Sequence, residues 1–347
     1  MIQIKKQLLL EPTEHKFENF GVFNPAAIEV DGKIHVFYRA CSAGNFSTIG
    51  YARLQDYQRL AERKEVPFLI PHHEYESQGM EDPRIVDIEG TYYLTYTAYD
   101  GGNALGALAT SKDLKQFDKQ GIITLQMSYK DFQQCVECIE GVSEKYLRFV
   151  KLFFERGGSE AGQKLLIWDK DVMFFPKKIK GKLAFLHRIY PDIQVVYCND
   201  IKELNDAFWR DYLFNIKAHT VLESKMHFEA SYLGGGCPPI ETPEGWLLIY
   251  HGVEDTQQGY IYHAGAALLE LEDPTKEIGR LPVPLFSPDQ EWEQSGVVKN
   301  VVFPTGAVVQ DGQLHIYYGA ADEKIGVASM DLRELINEIL KNSIKKL

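Results

Sequence analysis

Asp31-Gly32-Lys33-Ile34-His35-Val36-Phe37-Tyr38-Arg39 sets a Gly-bearing turn before a run of alternating β-formers, and the arrangement returns four more times. The later copies are Glu89-Gly90-Thr91-Tyr92-Tyr93-Leu94-Thr95-Tyr96, Lys180-Gly181-Lys182-Leu183-Ala184-Phe185-Leu186-His187-Arg188, Glu244-Gly245-Trp246-Leu247-Leu248-Ile249-Tyr250-His251 and Asp311-Gly312-Gln313-Leu314-His315-Ile316-Tyr317-Tyr318. A two-residue turn carrying Gly between extended runs is a hairpin signal. The flanks recur too. Asn24-Pro25-Ala26, Asp82-Pro83-Arg84, Asp171-Val172-Met173, Pro238-Pro239-Ile240 and Pro304-Thr305-Gly306 precede the turns. Gly50-Tyr51-Ala52, Gly106-Ala107-Leu108, Val195-Val196-Tyr197, Gly265-Ala266-Ala267 and Gly326-Val327-Ala328 follow them. Each unit reads strand, Gly turn, strand, loop, strand. The turn glycines stand roughly 60 to 90 residues apart, which leaves room for a fourth strand per unit. Radial repetition of small antiparallel sheets makes a propeller. The expected fold is therefore all-β, a five-bladed β-propeller, with an irregular sandwich as the alternative.

Two regions break the pattern. Residues 129–156 read as a helical insertion between the second and third units, with Tyr146, Phe149, Val150, Phe153 and Phe154 near helical spacing. The amphipathic tail 331–343 reads as a terminal helix. No Pro/Gly/Ser-rich linker interrupts the chain, so residues 1–347 are expected to form one domain.

The chain has 347 residues, 45% of them hydrophobic, which is ample for a large core. Its net charge is -12, and no Lys/Arg-rich run is present, so nucleic acid and anionic membrane are not expected partners. No apolar stretch approaches the roughly 20 residues of a membrane span. Aromatics make up 12% of the chain, which suits both stacked sheets and the apolar faces of sugars. Five scattered Cys point to a reducing, cytoplasmic compartment, or to the periplasm if a leader has been removed. Cys135-Val136-Glu137-Cys138 lacks a second pair and the ten His lack ligand spacing, so no metal is expected.

Polar residues at the ends of innermost strands converge in a propeller's central funnel. The strand flanks here are unusually polar, with Asn24, Glu81-Asp82-Pro83-Arg84, Lys170-Asp171 and Phe303-Pro304-Thr305. Arg39, Tyr99-Asp100, His187-Arg188, His251 and Asp322 end the following strands. Acids for proton transfer, Arg and His for anions, and Asn for hydroxyls suit a glycosidic bond. Asp82 is the strongest acid candidate, and Arg84 two residues on shares its face in a strand. The alternative is a structural Asp–Arg pair.

Gly79-Met80-Glu81-Asp82-Pro83-Arg84-Ile85 resembles glycoside hydrolase family 130, the mannoside phosphorylases and related β-mannosidases. The resemblance runs from about Asn24 to Leu332 and is also carried by Gly234-Gly235-Gly236-Cys237-Pro238-Pro239-Ile240, Gly265-Ala266-Ala267-Leu268-Leu269-Glu270 and Asn300-Val301-Val302-Phe303-Pro304-Thr305-Gly306. It implies a five-bladed propeller. It also implies that Asp82 is the catalytic acid, acting directly or through a substrate hydroxyl. Asn24, Arg39, Phe303 and Asp322 match positions that hold the mannose and its neighbour. Arg188 and His251 match the phosphate cradle of the phosphorylases, and Lys170 falls near another cationic position. Arg84, Tyr232 and Tyr262 complete the candidate contacts.

One departure bears on the reaction. Phosphorylases of the family carry a phosphate-binding Lys just before the Gly-rich stretch, and here that position is Tyr232. Each charge-assisted contact to such an anion is worth roughly 1.5–3 kcal/mol. An inverting hydrolase instead needs a carboxylate roughly 6.5–9.5 Å from the acid. Glu229 fits by location, with Glu270 as a second candidate and a solvated or structural role as the alternative for each. The expected activity is thus an inverting β-mannosidase acting on short, β-1,2-linked mannooligosaccharides. The alternatives are a β-mannoside phosphorylase, with inorganic phosphate as co-substrate, and a non-catalytic sugar-binding propeller. No cofactor is implied, and assembly into a homo-oligomer is left open.

Overall fold

The computed structural model describes residues 2–137, 139, 144, 146–149, 151 and 165–342. They are mostly sheet with few helices. After β1 (Lys5–Leu10), a first meander comprises β2 (Gly21–Val30), β3 (Lys33–Ser42), β4 (Phe46–Leu54) and β5 (Leu60–Arg63). The second comprises β6 (Gly79–Ile88), β7 (Thr91–Tyr99), β8 (Ala104–Ser111) and β9 (Asp118–Ile122). The third comprises β10 (Asp169–Phe174), β11 (Leu183–Ile189), β12 (Ile193–Cys198) and β13 (Thr220–Leu222). In the fourth, β14 (Tyr232–Gly235) and β15 (Ile240–Thr242) both pair with β16 (Gly245–Thr256), followed by β17 (Gly259–Leu269) and β18 (Glu277–Arg280). The fifth is β19 (Val302–Gln310), β20 (Gln313–Ala320) and β21 (Lys324–Asp331), with β1 antiparallel to β21 as its outer strand.

Neighbouring meanders meet where the third strand of one reaches the first strand of the next. Single parallel contacts, Ser47 with Gly79 and Leu105 with Asp169, link the first three into one twelve-stranded sheet. The last meander meets the first: Val22 N donates to Glu323 O at 2.9 Å, and Thr305 Oγ1 donates to Pro25 O at 3.0 Å.

The repeated turns have a common cause. Asp31-Gly32, Glu89-Gly90, Lys180-Gly181 and Asp311-Gly312 each place two successive residues at φ between 49° and 79°. That is the type I′ hairpin, whose twist matches the flanking strands. The fourth turn differs, since at Glu244-Gly245 only Gly245 has a positive φ.

α1 (Tyr129–Glu137) lies between β9 and β10, within the region expected to be helical. Tyr146 and Phe149 also lie in helical backbone, whereas Val150, Phe153 and Phe154 fall outside the described residues, as does Cys138. The tail forms α4 (Leu332–Lys341), capped by Asp331, which accepts from Glu334 N. The sequence reading missed α2 (Asp206–Phe214), whose start is marked by the Asn205 cap. It buries Trp209, Tyr212 and Leu213 in the same core as α1. A short α3 (Glu291–Gln294) precedes β19.

A second repeat emerges only in three dimensions. Each meander but the third buries a Glu against a Tyr from its second strand and a cation from its outer strand. Tyr38 Oη donates to Glu18 at 2.7 Å, and Arg63 pairs with the same carboxylate at 3.0 Å. Tyr96 and Lys119 meet Glu76 likewise. Tyr250 and Arg280 meet Glu229 at 2.6 and 3.0 Å, and Tyr318 and Lys6 meet Glu293 at 2.5 and 2.9 Å. In the third meander His187 takes the Tyr position, between Asp169 at 2.7 Å and Tyr212 Oη at 2.8 Å. In the first, fourth and fifth meanders the recurrent Gly of the third strand makes room for this Tyr, whereas Gly106 of the second lies against Val172 and Thr124. A Cβ on Gly50 or Gly265 would lie 2.3 Å from the ring of Tyr38 or Tyr250.

Candidate active site

One local distortion builds the site. The innermost strands β2, β6 and β10 each carry a bulge whose key residue is left-handed: Asn24 (φ 50°), Asp82 (φ 48°) and Asp171 (φ 57°). A bulge re-aims a side chain and ends regular pairing. In the fourth meander Gly236 N and Cys237 N share Ile249 O as acceptor, at 3.2 and 3.1 Å. On the second strands, the residue after the buried Tyr or His points to the opposite face by simple alternation. Those residues are Arg39, Thr97, Arg188, His251 and Gly319. The Gly319 backbone admits Asn24, whose Oδ1 would lie 2.0 Å from a Cβ there.

These devices converge on a cavity of about 690 Å³. It brings together Asp82, Asn24, Arg39, Lys170, Arg188, Tyr232, Tyr262, Phe303 and Asp322 from distant parts of the sequence. The Asp82 carboxylate accepts from Asn24 Nδ2 at 2.7 Å and lies 3.6 Å from Arg39 Nη1. Arg39 also pairs with the buried Glu81 at 2.6 Å. Burial and the charges of Asp82 and Glu81 push the Asp322 carboxyl up to about 6, against the pull of Arg39 and Lys170. Burial, reinforced by the charge of Asp82, likewise raises Glu81 while Arg39 opposes it.

The cationic side of the cavity is different. Arg188 pairs with Asp171 at 3.0 Å and donates to Tyr190 Oη and His251 Nε2 at 3.0 and 3.1 Å. Burial opposes the Asp171 charge, but Arg188 and Arg84 outweigh it and hold the carboxyl down at about 2. His251 is kept neutral by burial and by the arginines around it. Lys170 has no carboxylate within ion-pair distance among the described residues. Burial opposes its charge, yet the surrounding acidic groups keep its ammonium above the ordinary lysine range. Tyr232 and Tyr262 stand beside it with hydroxyls 2.5 Å apart.

Four expected site residues lie elsewhere. Arg84 is buried beneath the cavity and donates to Gly235 O, Gly236 O and Asp82 O at 3.0, 3.0 and 2.8 Å. It ties inner strands together, and its link to Asp82 runs through the backbone. His251 is buried behind Arg188 rather than lining the cavity. Glu229 is no candidate base. It is the fourth-meander member of the buried Glu–Tyr–cation set, and it also accepts from Lys225 N and Met226 N at 2.7 and 2.9 Å. Glu270 is half-exposed and lies 3.6 Å from Lys276, away from the cavity. Glu229→Gln is therefore expected to lower stability by about 1–3 kcal/mol in urea unfolding, since Tyr250 and Arg280 lose a buried carboxylate while Glu277 still holds Arg280 at 2.6 Å, and to leave any turnover by the folded protein unchanged. A base would show the reverse.

The cavity also contains residues the sequence reading passed over: Trp168, Tyr190, Tyr129, Phe149 and Tyr260. Strand alternation carried the signal for three of them. Trp168 precedes Lys170 by two, Tyr190 follows Arg188 by two, and Tyr260 precedes Tyr262 by two.

Comparison with known proteins agrees with this geometry. The family model described as β-1,4-mannooligosaccharide phosphorylase matches residues 4–154 and 158–341. The chain is 33% identical to the 1,2-β-oligomannan phosphorylase of Thermoanaerobacter sp. (strain X514), over 96% of this chain and 99% of that one. It is 30% identical to the β-1,2-mannobiose phosphorylase of Listeria innocua, over 96% of this chain and 79% of that one. The structure of a Listeria innocua β-1,2-mannobiose phosphorylase with β-1,2-mannobiose superposes with a TM-score of 0.73 at 25% identity, covering 97% of this chain and 99% of the other. A structure described for family-130 glycoside hydrolases that target β-1,2 mannosidic linkages in Candida mannan gives a TM-score of 0.70 at 26% identity, covering 94% and 93%. The chain belongs to glycoside hydrolase family 130.

Proposed function

We propose that the chain is a β-mannoside phosphorylase acting on short β-1,2-mannosides, and that its five meanders close into a five-bladed propeller around the cavity. Asp82 donates a proton to the glycosidic oxygen, directly or through a substrate hydroxyl, as the bond to the anomeric carbon breaks. A phosphate oxygen forms the new bond from the opposite face, with inversion. The products are α-mannose 1-phosphate and the shortened sugar. Asn24, Arg39, Phe303 and Asp322 hold the mannosyl unit. Lys170 and Arg188 hold phosphate, and the phenols of Tyr232 and Tyr262 donate to it.

The observation that carries this reading is the lack of a second, separate carboxylate among the described residues of the cavity. Among the described residues, the carboxylates lining the cavity are Asp82 and Asp322, and both belong to the cluster around Arg39. A hydrolase needs a further carboxylate across the sugar to activate water. Phosphate brings its own nucleophilic oxygen and needs only cations. Lys170 supplies one with no carboxylate at ion-pair distance among the described residues, which offsets the loss of a Lys at Tyr232. The names of the similar proteins also favour phosphorolysis over the hydrolysis that Tyr232 and Glu229 first suggested. The test is to supply β-1,2-mannobiose with and without inorganic phosphate. Turnover is expected only with phosphate.

A further inference from the structure

We propose that Glu81 is a positioning residue for the reaction. It holds one edge of the Arg39 guanidinium, so that Arg39 faces the mannosyl unit without closing an ion pair on Asp82, and Asp82 stays free to carry the proton it donates. This rests on the reading of Asp82 as the acid and extends it to the group that keeps that acid available.

The position just before each left-handed bulge residue is filled differently in each meander. It is Phe23 before Asn24, Glu81 before Asp82 and Lys170 before Asp171. Two of these three residues converge on Arg39. Phe23 is its cross-strand partner, and the guanidinium lies 4.8 Å from the centre of the Phe23 ring. Glu81 reaches Arg39 from the neighbouring meander, with Oε1 at 2.6 Å from Nη2. Arg39 Nε donates to Ser47 Oγ at 2.9 Å, and Nη2 donates to Asn45 Oδ1 at 3.3 Å. One face and one edge of the guanidinium are thus taken, and Nη1 is left on the side of Asp82.

Among the described residues, Asp82 is the one other carboxylate within ion-pair distance of Arg39. Its Oδ1 accepts from Asn24 Nδ2 at 2.7 Å and stands 3.6 Å from Arg39 Nη1, beyond hydrogen-bond length. Its Oδ2 accepts no hydrogen bond from a described residue, so that oxygen is the one open to a proton. Asp82 lines the cavity, whereas Glu81 is buried behind it and acts through Arg39. Burial opposes the Arg39 charge, and Glu81 leads the carboxylates that outweigh it, ahead of Asp82 and Asp322. A buried guanidinium without a counter-charge is costly, so it turns to whichever carboxylate is in reach. Were Glu81 neutral, Arg39 would close on Asp82 and pin its negative charge. An ionised Asp82 has no proton to give to the glycosidic oxygen. Gln at this position can still accept from Arg39, so the substitution removes the charge with little change in shape.

The test compares kcat on β-1,2-mannobiose, whose leaving sugar needs a proton, with kcat on 4-nitrophenyl β-mannoside, whose leaving group needs little. Both are measured at saturating inorganic phosphate. Glu81→Gln is expected to lose about a hundredfold on mannobiose, the lower end of what a general acid supplies, and under about fivefold on the nitrophenyl mannoside. Glu81→Asp keeps the charge one methylene further back, and an intermediate selective loss is expected. Melting curves establish that each protein is folded, and Glu81→Asp carries the test if Glu81→Gln does not fold. Equal losses on the two substrates, or wild-type rates on both, would overturn the proposal, because a merely structural ion pair does not distinguish leaving groups. Asp82→Asn is measured alongside. A selective loss there without one at Glu81 would remove Glu81 alone. No selective loss in Asp82→Asn would remove the acid reading and the role of Glu81 together.

Discussion

Asp82→Asn is expected to lower kcat on β-1,2-mannobiose by about a thousandfold, within the range set by a lost general acid, and to leave the protein folded. The reason is geometric. Asp82 has a left-handed backbone at φ 48°, held by the β6 bulge, which turns its carboxylate into the cavity. Asn24 Nδ2 fixes one oxygen at 2.7 Å, and an amide oxygen can accept that hydrogen bond equally well. The nearby Arg84 does not neutralise the carboxylate, because it donates to the Asp82 carbonyl at 2.8 Å. The charged side chain that does face this carboxylate is Arg39, 3.6 Å away and itself lining the cavity, so the charge at position 82 belongs to the cavity rather than to the ties beneath it. A 4-nitrophenyl β-mannoside carries a leaving group that needs little protonation, so the same variant should lose much less activity on it. Steady-state kinetics on both substrates checks this. Equal losses would assign Asp82 to binding, and no loss would remove Asp82 from the reaction altogether.

Asp171→Asn is expected to be the most destabilising single change at the site, by about 3–5 kcal/mol in urea unfolding. Asp171 is fully buried, 3.0 Å from Arg188 and 3.5 Å from Arg84. An amide would leave two buried guanidinium groups without a counter-charge. The pH dependence gives an independent check. The carboxyl is held down from 3.8 to about 2 in the fold, so its contribution is complete above about pH 4 and is lost as pH falls through about 2. The variant should lack that part of the wild-type acid sensitivity. It should also loosen Arg188, and with it the hold on phosphate, so the KM for phosphate is expected to rise in whatever folded protein remains.

The sequence was most legible where function and repetition coincided. The five Gly turns, the alternating strands and the polar flanks each follow from local backbone rules, and all appear in the structure. Asn24, Asp82 and the Lys170-Asp171 pair stood out as polar residues on strand flanks, and the bulges at Asn24, Asp82 and Asp171 are the physical form of that polarity. Glu229 was misread for an instructive reason. Its partners Tyr250 and Arg280 lie 21 and 51 residues away, so its ion pair is invisible along the chain. A signal did exist. Glu18, Glu76 and Glu229 each stand three residues before the first strand of their meander, at Gly21, Gly79 and Tyr232. A residue repeated with the scaffold belongs to the scaffold. The chemistry proposed above rests instead on residues that differ between units, such as Asp82, Lys170 and Arg188. Arg84 illustrates the converse limit. Strand alternation placed it on the face of Asp82, but alternation fails across a bulge, and the side chain turns down into the carbonyls of β14 and the residue after it.

Phosphorolysis and hydrolysis of β-1,2-mannobiose differ in one product, and nuclear magnetic resonance distinguishes the two directly. The reaction is followed by phosphorus and proton spectra in matched samples with and without inorganic phosphate. The expected result is α-mannose 1-phosphate and mannose in equal amounts when phosphate is present, and no turnover when it is absent. Two mannose molecules released per mannobiose, at a rate indifferent to phosphate, would contradict it.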